Sequence, residues 1–230
     1  MARPALTDEQ VEVQREAVCE AATRLFARHG FDAVTMRAIA EETGRSHTAA
    51  YRYFRNKEEI FQRVRAAAFH RFADFLDDAS RGEDDPARRV TKLMRAYADF
   101  ALGHPDHYRL MFEMTEGPRE PTAELSGALT RAFGHALVAA ESAVEAKLLV
   151  GEPRTLAHLV WIPLHGVVSL HLAGQLIHGR TVDELVEPVI AFVLGRNMPG
   201  APPAERPRRS AGRTRTQGST PAARRSRSRQ

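Results

Sequence analysis

The side chains best suited to bind another molecule lie between positions 35 and 57. From residue 43 to residue 57 the chain carries four cations and no acid. Arginine can pair with guanine edges, and lysine, threonine, serine and tyrosine can donate hydrogen bonds to phosphate oxygens. The stretch therefore has the chemistry of DNA contact. Its candidate DNA-binding residues are Thr35, Arg37, Arg45, Ser46, His47, Thr48, Tyr51, Arg52, Tyr53 and Lys57.

Two short helices joined by a tight turn are predicted to position these residues. Thr35 is a favourable N-cap for the first helix, and Gly44 ends it where a positive φ is expected. Ser46 is expected to cap the second helix, which buries Ala50, Tyr53 and Phe54 at helical spacing. A bracing helix, a glycine turn and a second helix with a cationic outer face predict a helix-turn-helix.

The segment from Arg15 to Ile60 resembles the DNA-binding domain of the tetracycline-repressor (TetR) family of transcriptional regulators. The matching residues are Ala21, Ala22, Leu25, Phe26, Gly30, Thr35, Ile39, Ala40, Gly44, Ser46, Tyr51, Tyr53, Phe54 and Lys57. The sequence departs from the family pattern at Arg45, Ala49 and Ala50, where a valine, a hydroxyl residue and a larger aliphatic residue are common. Base-contact detail is therefore not transferred from the family.

The resemblance implies a homodimeric DNA-binding regulator, usually a repressor, that binds a roughly palindromic operator and is released by a small molecule. His47, Thr48 and Arg45 are expected to read bases. Backbone phosphates are expected to be bound by Thr35, Ser46, Tyr51, Tyr53 and Lys57. The alternative is a nonspecific nucleoid-type DNA binder aided by the basic C-terminal tail.

Charge is distributed unevenly along the 230 residues. The total is +4, but the stretch after residue 200 holds nine arginines and one acid, so the first 200 residues carry a net charge of −4. Residues 199–230 lack aromatic and large aliphatic side chains and are predicted to be a disordered basic tail. One cysteine, Cys19, excludes an internal disulfide framework and fits a cytoplasmic protein.

The expected fold is all-α, with a helix-turn-helix domain at 9–57 and a helical effector-binding and dimerisation domain at 58–198. Helices are predicted at 9–29, 56–80, 86–102, from 105, at 121–150, 153–178 and 181–197. The last two are apolar around most of their circumference, which predicts a homodimer interface formed by both. The helix from Asn56 is long enough to connect the two domains.

Five residues are candidates for the effector site. Tyr108, Met111 and Phe112 crowd an apolar stretch, YRLMF, and Trp161 and His165 belong to a Trp…His-Gly pattern. Together these features resemble the C-terminal domain of one TetR-family branch that carries a Trp-His-Gly motif. Ordinary core packing is the competing interpretation for each of these side chains.

Several other classes of function lack a sequence signal. The chain contains no glycine-rich phosphate loop, no nucleophile elbow and no convincing catalytic acid pair, so an enzyme is not expected. His104, His107 and Glu113 lack an evident partner ligand, and the histidines at 158, 165, 171 and 178 are too widely spaced to share a metal. No metal, no cofactor and no membrane partner are predicted.

Overall fold

The computed structural model describes residues 7–44, 50–114, 117 and 120–195. All regular secondary structure within these ranges is helical, which confirms the expected fold class. The helices are α1 (Asp8–Ala33), α2 (Met36–Glu42), α3 (Lys57–Ser80), α4 (Pro86–Gly103), α5 (Pro105–Phe112), α6 (Ala123–Glu145), α7 (Pro153–Leu172) and α8 (Val182–Val193). Ala50 and Tyr51 are also helical.

Capping side chains mark the helix starts, and Thr35 caps α2 as the sequence predicts. Thr35 Oγ1 accepts from Ala38 N at 3.1 Å, and Asn56 Oδ1 accepts from Glu59 N at 2.9 Å. Thr181 and Glu184 form a reciprocal capping box at the start of α8. Gly44 has the expected positive φ, at 68°.

Helix ends differ more from the expectations. The helix predicted to reach residue 150 ends at Glu145, because the N–H groups of Leu148 and Leu149 both turn back to the carbonyl of Ala143. α7 ends at Leu172 instead of near residue 178, because Gly174 adopts a left-handed φ of 67°. Residues 196–230, which include the predicted basic tail, lie outside the described residues.

The apolar side chains form two cores. The first, which we call the head core, joins α1 and α2 to the beginning of α3 and contains Phe26, Ile39, Phe54 and Phe61. It extends past residue 57, because Ile60, Phe61, Val64 and the distant Leu110 belong to it. We use "head" for α1, α2, residues 50–54 and the first turns of α3.

The second core occupies the remaining helices and is larger. α3 packs along α6, α6 along α7, and α4 lies against α3, α6 and α7. By length and composition α7 could cross a membrane, a test that core helices of soluble proteins also pass. One side of α7 packs into the second core through Val160, Leu164 and Val168.

The short helix α5 belongs to both cores. Leu110 is fully buried in the head core, whereas Tyr108 and Met111 are buried in the second core. Arg65 of α3 donates from Nε to the carbonyl of Leu110 at 3.1 Å and from Nη2 to that of Met111 at 3.3 Å. The end of α5 is thus fixed to α3 between the head and the second core.

Candidate functional site

The predicted DNA-binding residues that the structure describes lie at the surface of the head. Thr35, Arg37, Tyr51 and Arg52 are exposed, and Tyr53 is half-buried against the head core. Ala50 and Phe54, on the other side of the same segment, are buried. Arg45, Ser46, His47 and Thr48 lie outside the described residues, so the base-reading assignment stays a prediction.

Arg37 projects from α2 and is paired with an acid of its own helix. Its Nε lies 2.8 Å from Glu41 Oε1, and both side chains are largely exposed. The carboxylate raises the pKa of Arg37, which keeps the guanidinium charged. An exposed pair of this kind contributes little stability, so Arg37 can exchange Glu41 for a phosphate at small cost.

Lys57, a predicted phosphate contact, makes three hydrogen bonds within the head. Its ammonium group donates to the carbonyls of Phe31, Asp32 and Val34 at 3.0, 3.3 and 3.1 Å. The same group lies 4.3 Å from the centre of the Phe31 ring. Its three protons therefore tie the start of α3 to the end of α1 and to Val34, which precedes Thr35.

A cavity of about 280 Å³ lies among α3, α4, α6 and α7. Two of the five predicted effector residues, Phe112 and Trp161, line it directly. Aromatic side chains that the sequence did not single out complete much of the wall. They are Phe69 and Phe72 of α3, Tyr97 of α4 and Phe133 of α6.

Tyr108 and His165 lie behind the wall and form a partly buried polar cluster with Tyr97 and Ser169. His165 Nδ1 lies 2.8 Å from the Tyr97 hydroxyl and 2.9 Å from that of Tyr108. The Tyr108 hydroxyl is also 3.0 Å from Ser169 Oγ. Burial raises the pKa of both tyrosines and lowers that of His165. The tyrosines therefore stay protonated, and a lone pair on Nδ1 of neutral His165 can accept a hydrogen bond from one of the two hydroxyls.

This cluster supports the cavity wall from behind. The His165 ring centre is 5.2 Å from that of Phe112 and 5.2 Å from that of Trp161. Met111, the fifth predicted residue, is buried in the second core and does not line the cavity. The sequence pattern thus contains residues that line the cavity, Phe112 and Trp161, and residues that lie behind its wall, Tyr108 and His165. It does not distinguish the two groups.

His135 of α6 is a cavity residue that sequence reasoning missed. It lines the cavity and also borders an outer groove between α3 and α6. Its Nε2 is buried without a hydrogen-bond partner among the described residues. A lone histidine in the alanine-rich stretch of α6 was the available signal, but the direction it faces depends on the packing of three helices.

Comparison with known proteins assigns both parts of the chain. Residues 18–64 match the family model of bacterial regulatory proteins of the tetR family, and residues 90–193 match the tetracyclin repressor-like C-terminal domain. The chain belongs to the TetR family. Members of this family are transcriptional regulators and not enzymes, so this TetR-family protein is a DNA-binding regulator of transcription.

Relatives of known sequence or structure agree with this assignment. An uncharacterised HTH-type transcriptional regulator of Mycobacterium tuberculosis is 29% identical over 76% of this chain and 74% of its own length. The transcriptional repressor AcnR of Corynebacterium diphtheriae is 33% identical over 47% of this chain, and the match spans 64% of the repressor. A TetR-family regulator from Marinobacter aquaeolei superimposes with a TM-score of 0.68 at 20% identity, over 82% of this chain and 97% of the other.

Proposed function

We propose that this TetR-family protein is a homodimeric repressor that binds a palindromic operator and leaves it when a small molecule enters the cavity. The observation that carries the proposal is the double role of α3. Its first turns contribute Ile60, Phe61 and Val64 to the head core, and further along it Phe69 and Phe72 line the cavity. A ligand that moves the second part of this helix also moves the first.

The end of α5 provides a second connection between cavity and head. Phe112 lines the cavity, Leu110 fills the head core, and Arg65 holds the intervening carbonyls. Burial lowers the pKa of Arg65, while its Nε and Nη2 donate to the two backbone oxygens. A ligand can shift this arrangement only by as much as it favours the state that does not bind DNA.

An apolar stripe on α7 supports dimerisation. Leu159, Ile162 and Leu170 are 53%, 53% and 48% exposed, and they recur at the spacing of one helix face. On α8, Phe192 is 68% exposed. A second copy of the chain that packs the same stripe against this one would remove these side chains from water and pair two heads for the two halves of a palindrome.

The same proposal places the protein in the cytoplasm, where DNA is accessible to it. Repression is favoured over activation because the relative AcnR is named a repressor. The alternative of nonspecific DNA binding through the arginine-rich tail differs in one measurable quantity, the ratio of specific to nonspecific affinity.

Binding to DNA that flanks the coding region tests the proposal. Purified protein is titrated onto a labelled fragment of this DNA and onto a scrambled fragment of equal length, at one salt concentration. We expect at least a thousandfold preference for the natural fragment, within the range usual for specific binders, with two chains for each palindrome. Equal affinity for both fragments would favour the nonspecific alternative.

A further inference from the structure

The wall of the cavity excludes ions. Among the described residues, no aspartate, glutamate, lysine or arginine side chain lines it. An ion in such a place would lose its hydration without gaining a counter-charge, and this is strongly unfavourable. The part of any ligand that fills the cavity is therefore uncharged.

The size of the cavity limits the ligand to a small molecule. Its volume of about 280 Å³ is close to the lower end of the range of about 300 to 1,000 Å³ that is usual for ligand sites. An apolar cavity of about 150 Å³ accommodates a single benzene ring. A compact body of about two fused rings therefore fits.

Two polar side chains other than tryptophan reach the cavity, and they differ in what they can still bind. The Tyr97 hydroxyl already pairs with His165 and Tyr108. His135 Nε2, in contrast, lies 3.7 Å from Asp77 Oδ1, too far for a hydrogen bond, and is buried without a partner. Burial lowers the pKa of His135, so its ring, which lines the cavity, is neutral near pH 7 and can form a further hydrogen bond.

The outer groove beside His135 adds no net attraction for an ion. Arg131 is bound by both Asp74 and Asp77, at 2.7 and 2.5 Å. Arg81 pairs with Asp78, and Arg89 donates to the carbonyl of Glu83. Three acids and three arginines border the groove, so their charges balance.

We propose that the effector is an uncharged, compact apolar molecule with one hydrogen-bonding group, and that the imidazole of His135 binds this group. The proposal deepens the proposed function, on which it rests, by giving the chemical class of the effector. It also assigns His135 as the residue that distinguishes a polar ligand from a hydrocarbon of the same shape.

Four probes that share one adamantane cage and differ in a single substituent test the class of ligand. They are 1-methyladamantane, 1-adamantanol, adamantane-1-carboxylate and 1-adamantylammonium, and none absorbs where tryptophan emits. Trp161 lines the cavity and is the one tryptophan of the chain, so its emission reports binding without DNA. We expect the alcohol to bind about tenfold more tightly than the methyl compound, and both ions about a hundredfold more weakly than the alcohol.

Substitution of His135 tests the assigned residue. His135→Leu should remove the tenfold advantage of the alcohol while the methyl compound binds as before or more tightly. His135→Asn, which retains a hydrogen-bonding side chain, should keep part of the advantage. His29→Leu makes the same chemical change at an exposed position in the head and should leave all four affinities unchanged.

Three results would overturn the proposal: an ion that binds as tightly as the alcohol, an alcohol preference that survives His135→Leu in a folded protein, or no binding by any probe up to about 1 mM. Titration of operator complexes with the alcohol separates this proposal from the proposed function. If the alcohol binds but the protein stays on the operator, the proposed release by ligand is contradicted and the proposed ligand class is not. If the alcohol releases the operator equally well from the His135 variants, the role of His135 in the proposed ligand class is contradicted and release by ligand is not.

Discussion

The hydroxyl of Tyr97 on α4 lies 2.8 Å from Nδ1 of His165 on α7. This contact joins two helices that border the cavity, and it sits directly behind the rings of Phe112 and Trp161. The cavity wall is therefore supported by a polar cluster to which one lining residue, Tyr97, itself belongs. Such a cluster restricts the orientation of the aromatic rings, because its hydroxyl and imidazole groups hydrogen-bond to one another.

Removal of the acceptor should destabilise the second core. His165→Leu leaves the Tyr97 hydroxyl with Tyr108 alone and weakens the network of both tyrosines, which should lower the free energy of unfolding by about 1–3 kcal/mol. His165→Asn keeps an acceptor close to the position of Nδ1 and should cost less. Urea denaturation measures both variants, and equal losses for leucine and asparagine would contradict the acceptor role.

Stability should decrease as the solution becomes mildly acidic. Burial lowers the pKa of His107, His135 and His165 in the folded protein, so the unfolded chain binds more protons below the ordinary value of 6.5. The stabilisation from neutral histidine is complete above pH 6.5 and is lost progressively as the pH falls towards the lower folded values. The stabilisation from the carboxylates with lowered pKa values is lost only at lower pH, below about 4.5.

Urea midpoints at pH 7.5 and pH 5.5 check this dependence. We expect a lower midpoint at pH 5.5, and a smaller pH difference in His165→Asn, which cannot titrate. His29→Asn provides the matched control, since it removes an exposed histidine of the head. A midpoint that rises on acidification would show that the sign is wrong.

Lys57→Met should lower the stability of the head, and operator binding should weaken as a consequence. Three carbonyl oxygens lose their common donor, and the end of α1 loses its attachment to α3. We expect a stability loss of about 1–3 kcal/mol and weaker operator binding, with the salt dependence of binding unchanged. Unchanged stability together with a salt slope lowered by about 1 would instead assign Lys57 to a phosphate.

Arg37 and Glu41 should affect DNA binding in opposite directions. Arg37→Ala removes an exposed cation and should lower the salt slope of operator binding by about 1, with little change in stability. Glu41→Gln removes the acid that pairs with Arg37 and should tighten binding severalfold at low salt. Band-shift titrations at several salt concentrations measure both. A weaker complex for Glu41→Gln would contradict a phosphate role for Arg37.

Phe192→Asp is the substitution that should separate the two subunits. The side chain is 68% exposed on α8, so an aspartate there is hydrated in a monomer and would be buried only in a dimer. Val193 is a poorer choice, because it packs against the second core of its own chain. Light scattering should give the mass of a monomer for Phe192→Asp.

The control for this experiment is Val150→Asp. Val150 is 92% exposed between α6 and α7, and the substitution should leave the dimer and its operator affinity unchanged. A dimeric Phe192→Asp protein that still binds the operator tightly would move the interface away from α8.

The sequence predicts the helix starts better than the helix ends. Caps such as Thr35 and Asn56 act through their own hydroxyl or amide on N–H groups two or three residues away, so the local sequence is sufficient. The end of α6 depends on a carbonyl of Ala143 that two later N–H groups share, which no local pattern marks. Gly174 is the only residue that indicates an end for α7. The four residues that follow it could also continue the helix, and the sequence alone does not decide between these two outcomes.

Cavity residues were predictable only in part for a similar reason. Trp161 and Phe112 stand out as large side chains in a recognisable pattern, whereas Tyr97 and His135 are single residues on otherwise ordinary helices. Whether these two side chains point into the cavity depends on how α4 and α6 are rotated about their axes relative to α3. The head was easier, because glycine, cap and aromatic residues recur there at fixed spacing within about 25 positions.

Leu110 has a consequence for modular exchange between relatives. The head of this protein cannot be exchanged as an independent unit. Leu110 of α5, 50 positions beyond Ile60, is fully buried in the head core. A chimera cut within α3 would combine a head shaped around one Leu110 with a different residue from the donor of the C-terminal part. Functional sensors assembled from two family members should therefore need α5 and the head to come from the same parent.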